Sequence, residues 1–129
     1  MKRLGVRSAT STDAIIGIEG ALDGIWEAAC QALDESANEI ITISKENYCP
    51  VDKGDLKASG KDELIVDTDK EHTHELSYDT PYAKIVHEVP YNHSNPPTAQ
   101  WKFLEVALRL NEQKTLENIA SAARGSLDS

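Results

Sequence analysis

"CPVDKGDLKAS", Cys49 to Ser59, separates two stretches of different hydrophobic period and so decides how the chain divides. Proline fixes one backbone dihedral, an aspartate accepts hydrogen bonds from the amides that follow it, and glycine enters conformations closed to other residues. Pro50, Asp52 and Gly54 bring all three into one short run, which therefore reads as a turn that redirects the chain. The residue before a proline resists helical geometry, so Pro50 must also end any helix arriving from upstream.

Such a helix is expected. From Leu22 the apolar positions Ile25, Trp26, Ala29, Leu33, Ala37, Ile40 and Ile41 recur at three- and four-residue steps, with Glu27, Asp34, Glu35 and Glu39 falling mostly between them. That spacing is one helical face, and it predicts a helix from about Leu22 to about Tyr48. Before it, "DAIIGIEG" (Asp13 to Gly20) is a short apolar run closed by glycine, most easily a strand. The first twelve residues, "MKRLGVRSATST", read as a flexible N-terminal arm, which leaves residues 13–129 as a single domain.

Downstream of the turn the period shortens. "ELIVDTD" (Glu63 to Asp69) and "HTHELSYD" (His72 to Asp79) read as two strands of a hairpin joined around Lys70. "PYAKIVHE", Pro81 to Glu88, opens on a proline where a helix tolerates one, and predicts a short helix. "VPYNHSNPP" is a loop by composition. "TAQWKFLEVALRL" opens a second long helix at Thr98, whose apolar face falters at "NEQK" and resumes through Leu116, Ile119, Ala120 and Ala123 before Gly125 caps it. The expected fold is α+β: two long helices packed on a small antiparallel β-sheet, with a short helix between.

At 129 residues the chain is long enough for one core and too short for two. No stretch approaches the roughly 20 apolar residues of a membrane span, and no apolar core of signal-peptide length follows the basic start, so a protein made and used in a cytoplasm is expected, with no membrane partner. The net charge of −9 and the lack of a dense Lys/Arg run disfavour sequence-specific nucleic-acid binding. Cys30 and Cys49 would be held apart by the intervening helix, and neither belongs to a CxxC pair, so free thiols are expected.

Signals for chemistry are sparse. His72 and His74 lie two apart on a predicted strand and face one side, as chelating pairs can, but an isolated HxH is a weak signal better read as a solvated or hydrogen-bonded strand face, and no metal is assigned to it. Asp52, Asp55, Asp62, Glu63, Asp67, Asp69 and Glu71 are interleaved with Lys53, Lys57, Lys61 and Lys70, which is the composition of a solvated face rather than of a buried catalytic pair. No phosphate-cradling glycine loop or nucleophile elbow is present. Neither catalytic residues nor cofactors are expected. The apolar stripes on the two long helices exceed what so small a sheet covers, which points to self-association or a partner.

Four features in order, "IEGALDGIW", "PVDKGDLKAS", "TPYAKIVHE" and "KFLEVAL", resemble the tail-completion family of tailed double-stranded DNA bacteriophages, whose members are also labelled putative tail-component, minor capsid or neck proteins. That family shows Pro-Val-Asp-Thr-Gly-x-Leu-x-x-Ser after its first helix. Pro50, Val51, Asp52, Gly54, Leu56 and Ser59 match it, and Lys53 replaces the threonine. Tyr82, Ala83, Val86, His87 and Glu88 match a second motif, with Val89 and Pro90 where Gly-Thr is common, and Phe103, Leu104, Ala107 and Leu108 match a third.

The resemblance implies a structural virion protein without enzymatic activity: a ring, commonly hexameric, in the neck between the head-side connector or head-closure protein and the tail tube. Assembly in the host cytoplasm, contact with copies of itself and with the tail tube protein, and DNA only in transit follow from it. On this reading the hairpin, through Glu63, Leu64, Val66, Asp67 and Asp69, and the loop, through Tyr91 and His93, contact neighbouring subunits or the tail, while the acidic surplus suits the wall of a DNA channel. The alternative is a small cytoplasmic protein-binding or regulatory module that acts as a helix-mediated dimer.

Overall fold

The computed structural model describes residues 3–10, 13–19, 25–51, 54–88 and 96–128. In chain order these form β1 (Arg3–Thr10), β2 (Asp13–Glu19), α1 (Trp26–Ile43), α2 (Asp55–Ser59), β3 (Lys61–Asp67), β4 (Glu71–Ser77), α3 (Ala83–Glu88) and α4 (Phe103–Asp128). The fold is α+β as expected, with the strands in the order β1-β2-β4-β3 and every pairing antiparallel. No helix among the described residues is long and apolar enough to cross a membrane.

Alternation assigns the two faces of the sheet. Directly opposed residues share a face, and Ala14, Ile16 and Ile18 on β2 oppose Leu76, His74 and His72 on β4. All six are buried, so this is the face against which the helices pack. α1 lies on β2, β3 and β4, burying Ala29, Leu33, Ala37 and Ile40, and α4 packs mainly on α1. Lys114 meets Glu39 at 2.6 Å near one end of that contact and Phe103 meets Ser44 near the other, so the two long helices run antiparallel.

At Ser44 the helix of α1 loosens into a π-helical turn, Ser44–Tyr48, closed by a hydrogen bond from the Cys49 amide to the Ser44 carbonyl at 2.7 Å. The turn ends at Pro50, where the sequence placed the end of the helix. Buried Ser44 uses its one hydroxyl proton on the Phe103 carbonyl at 3.1 Å, so the Tyr78 hydroxyl, 2.7 Å away, donates to Ser44 Oγ. Tyr78 and His87 both set their rings edge-on to Phe103, with centroids 4.7 and 4.9 Å away. Burial pushes the Tyr78 phenol well above its usual range and the Cys49 thiol up to about 12, so neither ionises near neutral pH. Both cysteines are free.

Four expectations need correction. Within the expected arm, Arg3–Thr10 is a strand, β1, paired from Arg3↔Glu19 to Thr10↔Asp13. Leu4 and Val6 take the register positions opposite Ile18 and Ile16, an alternation too short to stand out among the Ser and Thr that follow. The "turn" segment is half helix, since Gly54 sits at φ 87°, in the left-handed region, and α2 begins at the next residue. Asp52 lies outside the described residues. The last helix starts at Phe103 rather than Thr98, because Lys102 has φ 57° and a right-handed helix cannot run through it. It also passes through Gly125 to Asp128, an interior glycine costing only about 1 kcal/mol relative to alanine.

On α4, Thr115 is buried and Leu116 is exposed, the reverse of the expected stripe. Seven residues are nearly two helical turns, so Thr115 stands below Leu108 while Leu116 is rotated roughly 100° away from that line.

Two predictions follow from this packing. A methyl group on Gly17 would run into Thr73 Oγ1 and lie 3.1 Å from the His72 carbonyl oxygen, so Gly17→Ala is expected to destabilise by about 1–3 kcal/mol in urea unfolding. An unchanged midpoint would show that β4 yields there. His87 is buried and its Nε2 has no hydrogen-bond partner among the described residues. Burial pushes its imidazole below the usual value, against the pull of Glu88, whose Oε1 lies 2.9 Å from Nδ1. The unfolded chain therefore takes up the proton first as pH falls. The contribution of His87 is complete above about 6.5 and is lost as pH falls through the depressed folded value, by at most about 1.4 kcal/mol per pH unit. Wild type should lose more stability between pH 7.5 and 5 than His87→Gln does; equal slopes would remove His87 as the cause.

Candidate functional site

Three polar side chains converge where α1 crosses the helix-facing side of β4. His72 Nε2 and His74 Nε2 each lie 2.6 Å from Asp34 Oδ1, and the imidazoles meet edge-on with centroids 5.5 Å apart. The outer nitrogens are held as well. His74 Nδ1 is 2.6 Å from Asp62 Oδ1, and His72 Nδ1 is 3.2 Å from Asp67 Oδ1. The result is one unbroken chain, Asp67–His72–Asp34–His74–Asp62, spanning β3, β4 and α1.

The strand geometry explains how five side chains reach one face. His72 and His74 share it because they are two apart on β4. Asp62 and Asp67 are five apart on β3, an odd number that would put them on opposite faces of a regular strand. The register shifts between Leu64 and Val66, which leaves Ile65 without a partner on β4 and returns Asp67 to the face of Asp62. Asp67 then stands directly opposite His72, and Asp62 lies diagonal to His74. Asp34 completes the set from the flank of α1, one turn beyond Cys30.

Burial and charge oppose each other in the cluster. The imidazole side chains are only 5% and 6% exposed, Asp62 is 14% exposed, and Asp34 opens to solvent on one side at 47%. Burial alone pushes the His74 imidazole down, but hydrogen bonds to Asp62 and Asp34 outweigh it and hold the ring above its usual value. Burial raises the Asp34 carboxyl, and its hydrogen bonds with His72 and His74 bring it below the usual carboxylate range. The Cys30 thiol is pushed up to about 11 by burial and by Asp34, Asp67 and Glu27, so it stays protonated near neutral pH.

These contacts correct two expectations. The HxH pair is hydrogen-bonded, as one of its expected readings had it, but it is buried rather than solvated. Asp62 does not belong to a solvated face either. Asp55, Glu63, Asp69 and Glu71 are exposed as expected, and Asp67 is exposed yet tied to His72. Among the described residues, Asp34, His72 and His74 form a group whose ligand-type atoms all lie within 4.8 Å of one another. The sequence showed the histidines and hid Asp34, which is one of four acids on α1 and carries no spacing signal toward β4.

The other candidate residues divide by location. Of the hairpin positions, Glu63, Leu64, Asp67 and Asp69 are exposed and Val66 is half-buried. β3 is an outer strand of the sheet, and Leu64 and Ile65 are each 44% exposed on it. Tyr91 and His93 lie outside the described residues. The motif positions are mostly interior. Leu56, Ala83, His87, Phe103, Leu104, Ala107 and Leu108 are buried, Val86 packs against the core, and Pro50 and Val51 are half-buried.

Two motif positions make specific hydrogen bonds. Ser59 Oγ donates to the Leu56 carbonyl at 2.7 Å and accepts the Asp79 amide at 3.1 Å. Glu88 joins His87 to Lys102, whose Nζ is 2.9 Å away. Of the described motif positions only Tyr82 is exposed, at 41%. The buried motif positions therefore hold helices to hairpin. When the chain is compared with protein-family models, with curated proteins and with solved structures, nothing matches it.

Proposed function

We propose that this chain is a structural virion protein of a tailed bacteriophage, forming a ring in the neck that completes the tail and joins it to the head-side connector. The observation that carries the reading is the edge of the sheet at β3. No strand pairs with its outer side among the described residues, and Leu64 and the unpaired Ile65 on it are both exposed. An edge strand has unpaired amides and carbonyls that can add to another chain's sheet, and the exposed Leu64 and Ile65 give such a contact apolar area to bury. A head-to-tail contact of this kind closes into a ring when its rotation divides a circle. The order of the four motifs supports the neck in particular, and Glu63, Asp67 and Asp69 on the same hairpin supply the negative charge past which DNA slides without adhering.

A second reading has its own observation. Leu110 and Leu116 on α4 are 65% and 40% exposed, which favours a helix-mediated dimer acting as a binding or regulatory module.

Quantitative mass spectrometry of density-purified virions, scaled to the major capsid protein, separates the two. The neck reading expects a ring-like number, about six or twelve copies per particle. Absence from intact virions would sink it in favour of the dimer. With Ile65→Lys the copy number should fall at least tenfold while the protein stays folded. A dimer through α4 would instead be lost in Leu110→Glu and untouched by Ile65→Lys.

A further inference from the structure

We propose that Asp34, His72 and His74 form a binding site for one divalent transition-metal ion of the zinc type, which clamps α1 to the β3–β4 hairpin. The site stands whether or not the chain is a neck protein. Two imidazole nitrogens and a carboxylate oxygen are the donor set that zinc accepts, and they reject calcium and magnesium, which take oxygen ligands. All three donors come from rigid elements: the histidines from the interior of a four-stranded sheet, the aspartate from the third turn of an 18-residue helix. The imidazoles are already aimed, because each turns Nε2 to the same point, Asp34 Oδ1, at 2.6 Å.

The outer contacts make this more than a convergence of polar groups. Asp62 and Asp67 each hold an Nδ1, so an ion that replaces the proton between Nε2 and Asp34 finds the rings already oriented for ligation. Histidines that bind metals are characteristically oriented in this way, and here β3 spends a bulge at Ile65 to supply both carboxylates from one strand. Charge points the same way. Three carboxylates surround two imidazoles, and with neutral rings a divalent ion offsets two of the three negative charges.

The contacts to Asp34 need little change. Around a tetrahedral ion with bonds of about 2.0–2.1 Å, donor atoms stand about 3.3 Å apart, so the Asp34 oxygen must withdraw by about 0.7 Å from each nitrogen. Asp34 is the ligand able to do so, since its side chain is 47% exposed while the histidines are fixed. That open side leaves the fourth position to water.

The test is titration of tag-free, chelator-treated protein with ZnCl2 by calorimetry, with CoCl2 as an absorption probe. The expected result is one ion per chain, a tetrahedral cobalt spectrum without a thiolate band, and a melting temperature that rises with zinc. His74→Gln and Asp34→Asn should weaken binding at least a hundredfold, and Asp62→Asn, which keeps every ligand, about 10- to 100-fold. Circular dichroism establishes that each variant is folded, and His87→Gln, a buried histidine outside the site, should bind as wild type does. The proposal is overturned if folded wild type takes up no stoichiometric ion, if Asp34→Asn and Asp62→Asn bind as wild type does, or if Cys30→Ser abolishes binding.

Discussion

The fold is organised around a constraint that hydrophobic burial alone does not impose: two imidazoles lie on the helix-facing side of β4, where every polar atom needs a partner. A buried polar group left without one costs about 1–3 kcal/mol, and four ring nitrogens are at stake. Three carboxylates meet the four, with Asp34 Oδ1 shared by both Nε2 atoms. Asp34 fixes how α1 lies across the strand, and Asp62 and Asp67 fix the register of β3, including its bulge. A one-residue slip of β3 would strand both outer nitrogens at once, so the cluster specifies a pairing that an edge strand of alternating charge would otherwise hold weakly.

The far end of α1 is secured by different means. Ser44, Tyr78 and Phe103 join the π-helical turn, the exit of β4 and the start of α4 through two hydrogen bonds and an edge-on ring contact. Loosening the helix at Ser44 lets its carbonyl take the Cys49 amide, so the chain reaches Pro50 with that amide satisfied. α1 is thus held at one flank by ionic hydrogen bonds and at its end by aromatic packing. The apolar face between them needs only to fill space.

What the sequence made legible follows from this division. Periodicity located α1, its end at Pro50, both strands of the hairpin and the short α3, because each is decided by local pattern and turn chemistry. It misread what depends on position in the assembled fold. Thr115 fills a core site that hydrophobicity assigned to Leu116, since the line through Leu108 decides burial there. β1 is held as an edge by backbone pairing, which composition does not report. The cluster was half visible: HxH could be seen, but its third member sits in the middle of a helix, and a bulge leaves no mark that separates Asp62 and Asp67 from the exposed acids around them.

The same division bears on where function is written in the chain. Of the positions that carry the family resemblance, Leu56, Ala83, His87, Phe103, Leu104, Ala107 and Leu108 are buried, and these specify how helices and hairpin meet. They constrain a scaffold. On the proposed neck reading, partner choice falls to surfaces the motifs leave alone, and β3 offers one at Ile65. The strand divides its demands: Asp62 and Asp67 turn to the polar cluster while the unpaired Ile65 is exposed. The bulge at Ile65 serves both, because the residue that restores Asp67 to the inner face is the apolar residue left outside. Deleting that residue would alter inner register and outer surface together, whereas a substitution changes the outer surface alone.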